Sequence, residues 1–131
     1  MYIQRTIEKS IERANKFFPV VLVTGPRQVG KTTVLQNCET QPRTYVSLDT
    51  LENRELAKND PTLFLQRYPA PVLIDEIQYA PELFPYIKAS VDKEKKNGMY
   101  WLTGSQQFHL MKNVSESLAG RVGILQLEGL S

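Results

Sequence analysis

Cysteine and histidine are almost missing from this chain: Cys38 and His109 are the only examples of each. A single thiol excludes an internal disulfide and suits a reducing compartment. His109 has no cysteine or acidic cluster beside it, so it reads as a surface residue on a helix. An excess of one charge is also lacking. Sixteen Lys and Arg face 14 Asp and Glu, for a net charge of +2, which makes no bulk electrostatic case for a nucleic-acid or membrane partner. No apolar run approaches the ~20 residues of a membrane span. The start, Met1 to Arg5, lacks the apolar core of a signal peptide. A cytoplasmic protein without a membrane partner is expected. No internal repeat or low-complexity segment is present. The remaining composition, 41% hydrophobic and 23% charged over 131 residues, is that of one soluble globular domain spanning 1–131. A chain of this size buries roughly two-thirds of its unfolded surface, enough for one core.

The informative stretch is Pro19 to Thr33, PVVLVTGPRQVGKTT. Val20 to Val23 is an apolar run suited to a buried strand. Gly25-Pro26-Arg27-Gln28-Val29-Gly30-Lys31-Thr32 then matches G-x-x-x-x-G-K-[ST] at every fixed position, and Thr33 to Cys38 continues as a helix. Strand, glycine loop and helix together separate a phosphate loop from a chance match. Gly25 and Gly30 let the backbone wrap closely around an oxygen-rich ligand. The N–H groups of the loop and of the first helical turn point inward at an anion. Lys31 then serves the β- and γ-phosphates, and the Thr32 hydroxyl serves Mg²⁺. Arg27 can meet either the nucleotide or a partner.

Around this loop the chain alternates helix and strand. Ile3, Ile7, Ile11, Ala14 and Phe18 recur at helical spacing among charged residues, which predicts an amphipathic helix over 3–18 that packs on the domain. Arg43 to Asp49 alternates and predicts a half-buried edge strand. Asp49 with Glu52 three residues on reads as a capped helix start, and Asp49 also sits at a strand's C-terminal end, where ligands bind in such sheets; the cap is the favoured role. Short helices follow over Leu51 to Lys58 and Thr62 to Tyr68, broken at Asp60-Pro61. Val72 to Ile74 is a strand buried on both faces that ends on Asp75-Glu76. A helix over Phe84 to Lys96 stops at Asn97-Gly98. Met99 to Leu102 is another buried strand, leading to Thr103-Gly104-Ser105-Gln106. A helix over Gln106 to Ala119 turns Phe108, Met111 and Leu118 inward, and an alternating strand covers Val122 to Leu130. Five strands alternating with helices predict an α/β fold with a parallel sheet. The three apolar strands belong at its centre and the two alternating strands at its edges.

The chemistry points to Asp75-Glu76. Two acids ending a buried strand are costly unless they face a metal or a polar site. The first carboxylate can hold the Mg²⁺ shell, and the second can take the proton of an attacking water. Ser105 or Gln106, after the next central strand, can sense the γ-phosphate or orient that water. Arg121 follows a helix and precedes an edge strand. It can stabilise transition-state charge in its own site or in a neighbour's; if it lies far from its own phosphate loop the neighbour is favoured, and a plain surface arginine is the equal alternative.

The segments GPRQVGKTT, VLIDEIQYAPELF, WLTGSQQFHLM and SESLAGRV together resemble the bacterial and archaeal predicted ATPases of the AAA+ superfamily, AAA-domain proteins that usually carry a further C-terminal domain. The resemblance covers nearly the whole chain. It implies a three-layer P-loop NTPase sandwich with strand order 5-1-4-3-2. It implies ATP and Mg²⁺ as cofactors, Lys31 and Thr32 as Walker A, and Asp75 and Glu76 as Walker B. It also implies a sensor at Ser105-Gln106 and a family motif around Arg121. Such proteins continue into a helical lid, so this chain is expected to be an ATPase core without one. The isolated core is expected to be mostly monomeric and slow, and a longer protein containing it can be oligomeric. DNA and protein both stand open as macromolecular partner. ATP hydrolysis driving a conformational change is the expected function. The rivals are a nucleotide-binding switch without turnover and a small-molecule P-loop kinase.

Overall fold

The alternation of apolar runs and amphipathic segments resolves into one sheet with a helical layer on each face. The computed structural model describes residues 2–26, 30–105 and 108–127. The helices are α1 (Tyr2–Phe17), α2 (Lys31–Asn37), α3 (Leu51–Asn59), α4 (Pro61–Arg67), α5 (Phe84–Glu94) and α6 (Phe108–Leu118). The strands are β1 (Val20–Thr24), β2 (Thr44–Ser47), β3 (Val72–Asp75), β4 (Tyr100–Gly104) and β5 (Val122–Gln126). Every pairing is parallel, in the order β2-β3-β4-β1-β5, which read backwards is 5-1-4-3-2. The apolar strands β1, β3 and β4 are central and the alternating β2 and β5 are edges, as patterning predicts.

Successive residues of each central strand feed opposite layers. Val20, Leu22, Val72, Ile74, Tyr100 and Leu102 face a core with Ala57, Phe64, Phe84, Ile87, Leu110, Val114 and Leu118, from α3 to α6. Val21, Val23, Leu73 and Trp101 face the other core with Ile11, Ala14, Val34, Leu35 and Cys38, from α1 and α2. Each fully buried aliphatic side chain stabilises the fold by about 1.5–3 kcal/mol relative to exposure. The C-terminal half of α1 is therefore a packing element. Its approach to β5 is close enough that a Cβ on Gly123 would lie 2.8 Å from Phe18 Cδ2, so a bulkier residue there would push α1 off the sheet.

Local chemistry sets the boundaries. Asp60 caps α4, its Oδ1 accepting from Leu63 N–H at 3.1 Å, with Pro61 at the first position where a missing N–H costs nothing. Three expectations need correction. The residue flanking α3 is Thr50, without a side-chain cap bond, and Asp49 is not the cap. Its backbone N–H is instead bonded to Ser47 Oγ at 3.1 Å, in a turn that ends β2. Helix α5 stops at Glu94 with Lys95 at φ 55, ahead of Asn97-Gly98. Gly98 serves the entry to β4, its N–H donating to Phe18 O at 2.9 Å. On α6 the buried stripe is Leu110, Val114 and Leu118, a four-residue spacing that leaves Met111 half-buried. The side chain of Phe108 and the expected end of the last strand at Leu130 lie outside the described residues.

Candidate functional site

Parallel pairing sends the C-terminal ends of β1, β3 and β4 to one edge, where ligands bind in such sheets. Thr24 pairs with Gly104, and Ile74 with Leu102. The phosphate-loop segment, Asp75-Glu76 and Ser105 thus share that edge without any further folding event.

Gly30 opens α2 at φ 76, a left-handed angle that a Cβ would strain. Gly25, at the close of β1, donates its N–H to Gly104 O at 3.3 Å and ties the loop to β4. Lys31 is only 3% exposed, and its Nζ donates to Gly25 O at 2.9 Å and Pro26 O at 3.1 Å. A buried ammonium is costly unless it is bonded. The two carbonyls belong to residues six and five positions earlier, so the ammonium reaches back to the close of β1. Thr32 lies one residue further and Thr33 is exposed on the first turn of α2. Arg27, Gln28 and Val29 lie outside the described residues.

The Thr32 hydroxyl donates to Asp75 Oδ1 at 2.8 Å and joins α2 to the end of β3. Asp75 also accepts from the Thr103 hydroxyl on its Oδ1, and from the Tyr45 hydroxyl on Oδ2 at 3.1 Å. Burial, reinforced by the Asp75 carboxylate, pushes the Tyr45 phenol up to about 12, so it remains a donor across the neutral range. Thr103 in turn accepts from Glu76 N–H at 3.0 Å. Glu76 itself is at φ 60, a left-handed angle that is rare for a residue with a Cβ, and only 9% of it is exposed. Strain of this kind, about 1–3 kcal/mol, persists only where the surroundings impose it. Here Glu76 is tied by that N–H bond to Thr103 on β4, which also bonds Asp75. Glu76 Oε1 accepts from Gln78 Nε2 at 2.8 Å.

Ser105 N–H donates to Gln78 Oε1 at 3.3 Å, and Ser105 Oγ is buried with no partner among the described residues. An orphaned buried hydroxyl at a phosphate-loop edge suits a phosphate oxygen or a water. Gln106 lies outside the described residues. Arg121 is elsewhere. It precedes Val122, which pairs with Val20 at the start of β1, about 16 Å of strand from the phosphate loop at 3.3 Å per residue. Its Nε and an Nη atom reach Asp92 on α5 at 2.7 and 3.0 Å. This two-pronged bond raises the guanidinium pKa further and holds the Asp92 carboxyl below its ordinary range. Arg121 therefore does not reach its own phosphate loop.

The pattern reading passed over Tyr45, Gln78 and Thr103. Tyr45 was visible only as one member of an alternating strand. Thr103 was visible only as a strand end, and Gln78 only as a polar residue after the acids. Contact with Asp75 or Glu76 distinguishes all three. For Tyr45 and Thr103 it exists only after the strands pair, and for Gln78 it needs the left-handed backbone at Glu76 and the 3-10 turn that follows. A recess of about 740 Å³ lies between α4 and α5 near the opposite edge, lined by Leu65, Pro71, Tyr86 and Tyr100 among others. Lys31, Thr32, Tyr45, Asp75, Glu76, Gln78, Thr103 and Ser105 do not line it.

This sheet order, with a phosphate-loop sequence between β1 and α2 and an acidic pair closing β3, defines a P-loop NTPase. The family model described as "AAA domain" matches residues 17–131. The chain belongs to the AAA domain family, whose function is of the nucleotide-binding, ATPase type. It is 37% identical over 130 residues to an uncharacterized protein of Mycobacterium tuberculosis (strain H37Rv), and equally to one of Mycobacterium bovis. The matches cover 98% of this chain and 29% of each relative, so the chain spans under a third of their length. Among solved structures, a DNA replication initiation factor superposes over 95% of this chain and 44% of its own, with a TM-score of 0.56 and 14% identity. At that identity the likeness is one of fold. No helix among the described residues is long and apolar enough to cross a membrane.

Proposed function

We propose that the chain is a Mg²⁺-dependent ATP-binding and ATP-hydrolysing core that couples nucleotide state to conformational change, in the cytoplasm. The observation that carries this reading is the Thr32–Asp75 bond at 2.8 Å beside the buried Lys31. It joins the phosphate loop to the acidic strand end, so one ligand can engage both. The donor set fits a hard cation: a hydroxyl and a carboxylate oxygen, with phosphate and water oxygens to complete the shell. Thr32 and Asp75 would hold Mg²⁺, which when bound would neutralise charge developing on the phosphate oxygens.

The chain's own residues supply the rest. Loop N–H groups between Gly25 and Thr33 bind the phosphates, and Lys31 exchanges its two carbonyl partners for phosphate oxygens. Glu76 accepts the proton of an attacking water as general base. The Ser105 hydroxyl meets the γ-phosphate or the water. Arg121 serves a neighbouring subunit's site, since it lies far from its own.

Phosphate release measured with and without Mg²⁺, and with and without candidate acceptors, tests the reading. Mg²⁺-dependent release to water supports it. Tight ATP binding with no release would favour a switch, and transfer only to an added acceptor would favour a kinase.

A further inference from the structure

The two parts of the site that must act together, the Glu76 carboxylate and the loop after β4, are joined by one side chain. Gln78 donates from Nε2 to Glu76 Oε1 at 2.8 Å and accepts from Ser105 N–H on Oε1 at 3.3 Å. Its orientation is fixed chemically. A carboxylate oxygen can only accept and a backbone N–H can only donate, so the flipped amide would lose both bonds. Packing holds it as well. A Cβ on Gly104 would lie 3.0 Å from Gln78 Oε1 and 2.8 Å from Leu110 Cδ2. The end of β4 therefore closes directly onto the amide. Gln78 sits in a 3-10 turn, Ile77–Tyr79, that follows the left-handed Glu76 and is anchored by the fully buried Ile77. The turn cannot slide without disturbing the core.

We propose that Gln78 is a positioning residue for hydrolysis, orienting Glu76 and transmitting to it the position of the Ser105 loop. The inference rests on the reading of Glu76 as general base. A carboxylate anchored through one oxygen still accepts a proton on the other, and fixing it in advance removes rotational freedom that would otherwise be lost at each turnover. Because the same amide receives the Ser105 N–H, a displacement of that loop on meeting a γ-phosphate moves the base with it. Occupancy of the γ-phosphate position and readiness of the base are then one mechanical state.

The test compares the 131-residue chain with Gln78→Leu, Gln78→Glu, Glu76→Gln and the Gln78→Leu/Glu76→Gln pair, measuring ATP affinity, KM and single-turnover phosphate release. Gln78→Leu should slow release about 10-fold or more and leave ATP affinity and KM within about twofold, since orientation of the base is all that is lost. Gln78→Glu keeps an acceptor for Ser105 but sets a carboxylate against Glu76, and should fall at least as far. In the Glu76→Gln background, Gln78→Leu should cost nothing more, because residues acting through one group are not additive. The proposal is overturned if Gln78→Leu releases phosphate at the parental rate while Glu76→Gln is inactive. It is overturned equally if the two losses multiply, or if ATP affinity falls in step with rate, which marks a structural role. If Glu76→Gln retains the parental rate, the base assignment itself fails and takes the positioning role with it. ATP affinity in the same proteins then still reports on the phosphate loop.

Discussion

Thr32 and Asp75 are hydrogen-bonded at 2.8 Å, hydroxyl to carboxylate, although they belong to a helix start and a strand end. Two oxygens so placed leave little rearrangement for a cation to bind between them. Asp75 is also held by Thr103 and Tyr45, so its carboxylate is pre-oriented from three elements. Asp75→Asn should reduce the gain in ATP affinity that Mg²⁺ provides by about 10-fold or more, with affinity in chelator nearly unchanged. Calorimetric titration of ATP with Mg²⁺ and with EDTA checks this, and an unchanged Mg²⁺ increment would remove Asp75 from the metal site.

Lys31→Met preserves most of the aliphatic stem, which is buried, and removes the charge. Nucleotide binding should be lost while the circular-dichroism spectrum and cooperative unfolding persist. Tight ATP binding by the folded variant would contradict the assignment.

Glu76→Gln nearly preserves shape at a strained, nine-tenths buried position. Binding of Mg·ATP should match the parent's, and phosphate release should fall by about 10²–10⁴-fold, the usual contribution of a general base. A variant that binds and releases normally would move the base elsewhere.

Arg121 separates two roles that look alike in a single substitution. If its purpose is the ion pair with Asp92, Arg121→Ala and Asp92→Ala should behave alike. If it completes a neighbour's site, only Arg121→Ala should slow turnover, with ATP affinity nearly unchanged, since it acts on the transition state. Activity should also rise with protein concentration. Inactive Glu76→Gln subunits mixed with Arg121→Ala subunits should partly regain activity, because one intact Glu76 site then meets one intact Arg121. A mixture that stays inactive in protein shown to associate would rule the trans role out.

Cys38 packs between α2 and the rest of its core layer, and burial, reinforced by Glu8 and Glu12, pushes its thiol up to about 11. A thiol reagent at pH 8 should label it only after unfolding, since the reactive species is the thiolate. The linkage also has a sign. The unfolded thiol ionises near its ordinary value of 9.0 and the folded one only near 11. Above about pH 9 the unfolded state loses a proton that the folded state keeps, so this group's contribution to stability falls from there and levels off past about pH 11. Rapid labelling of the native protein would contradict the buried placement.

Much of this protein was legible along the chain. The alternation of continuous and alternating apolar runs marks β1, β3 and β4 as central and β2 and β5 as edges, because a strand covered on both faces admits polar side chains only where they find partners, here at its C-terminal end. The phosphate-loop sequence, Asp75 and Glu76 are legible because the chemistry proposed for them needs fixed residue types at fixed spacing beside a strand end. Helix boundaries were less so. Asn97 and Gly98 bond Lys16 O and Phe18 O instead of ending the helix, and Asp49 is taken up in a local turn with Ser47, since local preferences of about 1 kcal/mol yield readily to competing contacts. What only the tertiary structure decided is which polar residues meet the two acids. Tyr45 comes from β2, Thr103 from β4 and Gln78 from the turn after β3, and no periodicity relates them. It also decided that Arg121 lies at the opposite end of the sheet, bonded to Asp92. Parallel pairing decides both, because it alone sets which strand ends share an edge. The acids themselves are readable in sequence because they are contiguous. Tyr45 and Thr103 are not, because they become their neighbours only across the sheet, and Gln78 is not, because its amide meets Glu76 only through the left-handed turn between them.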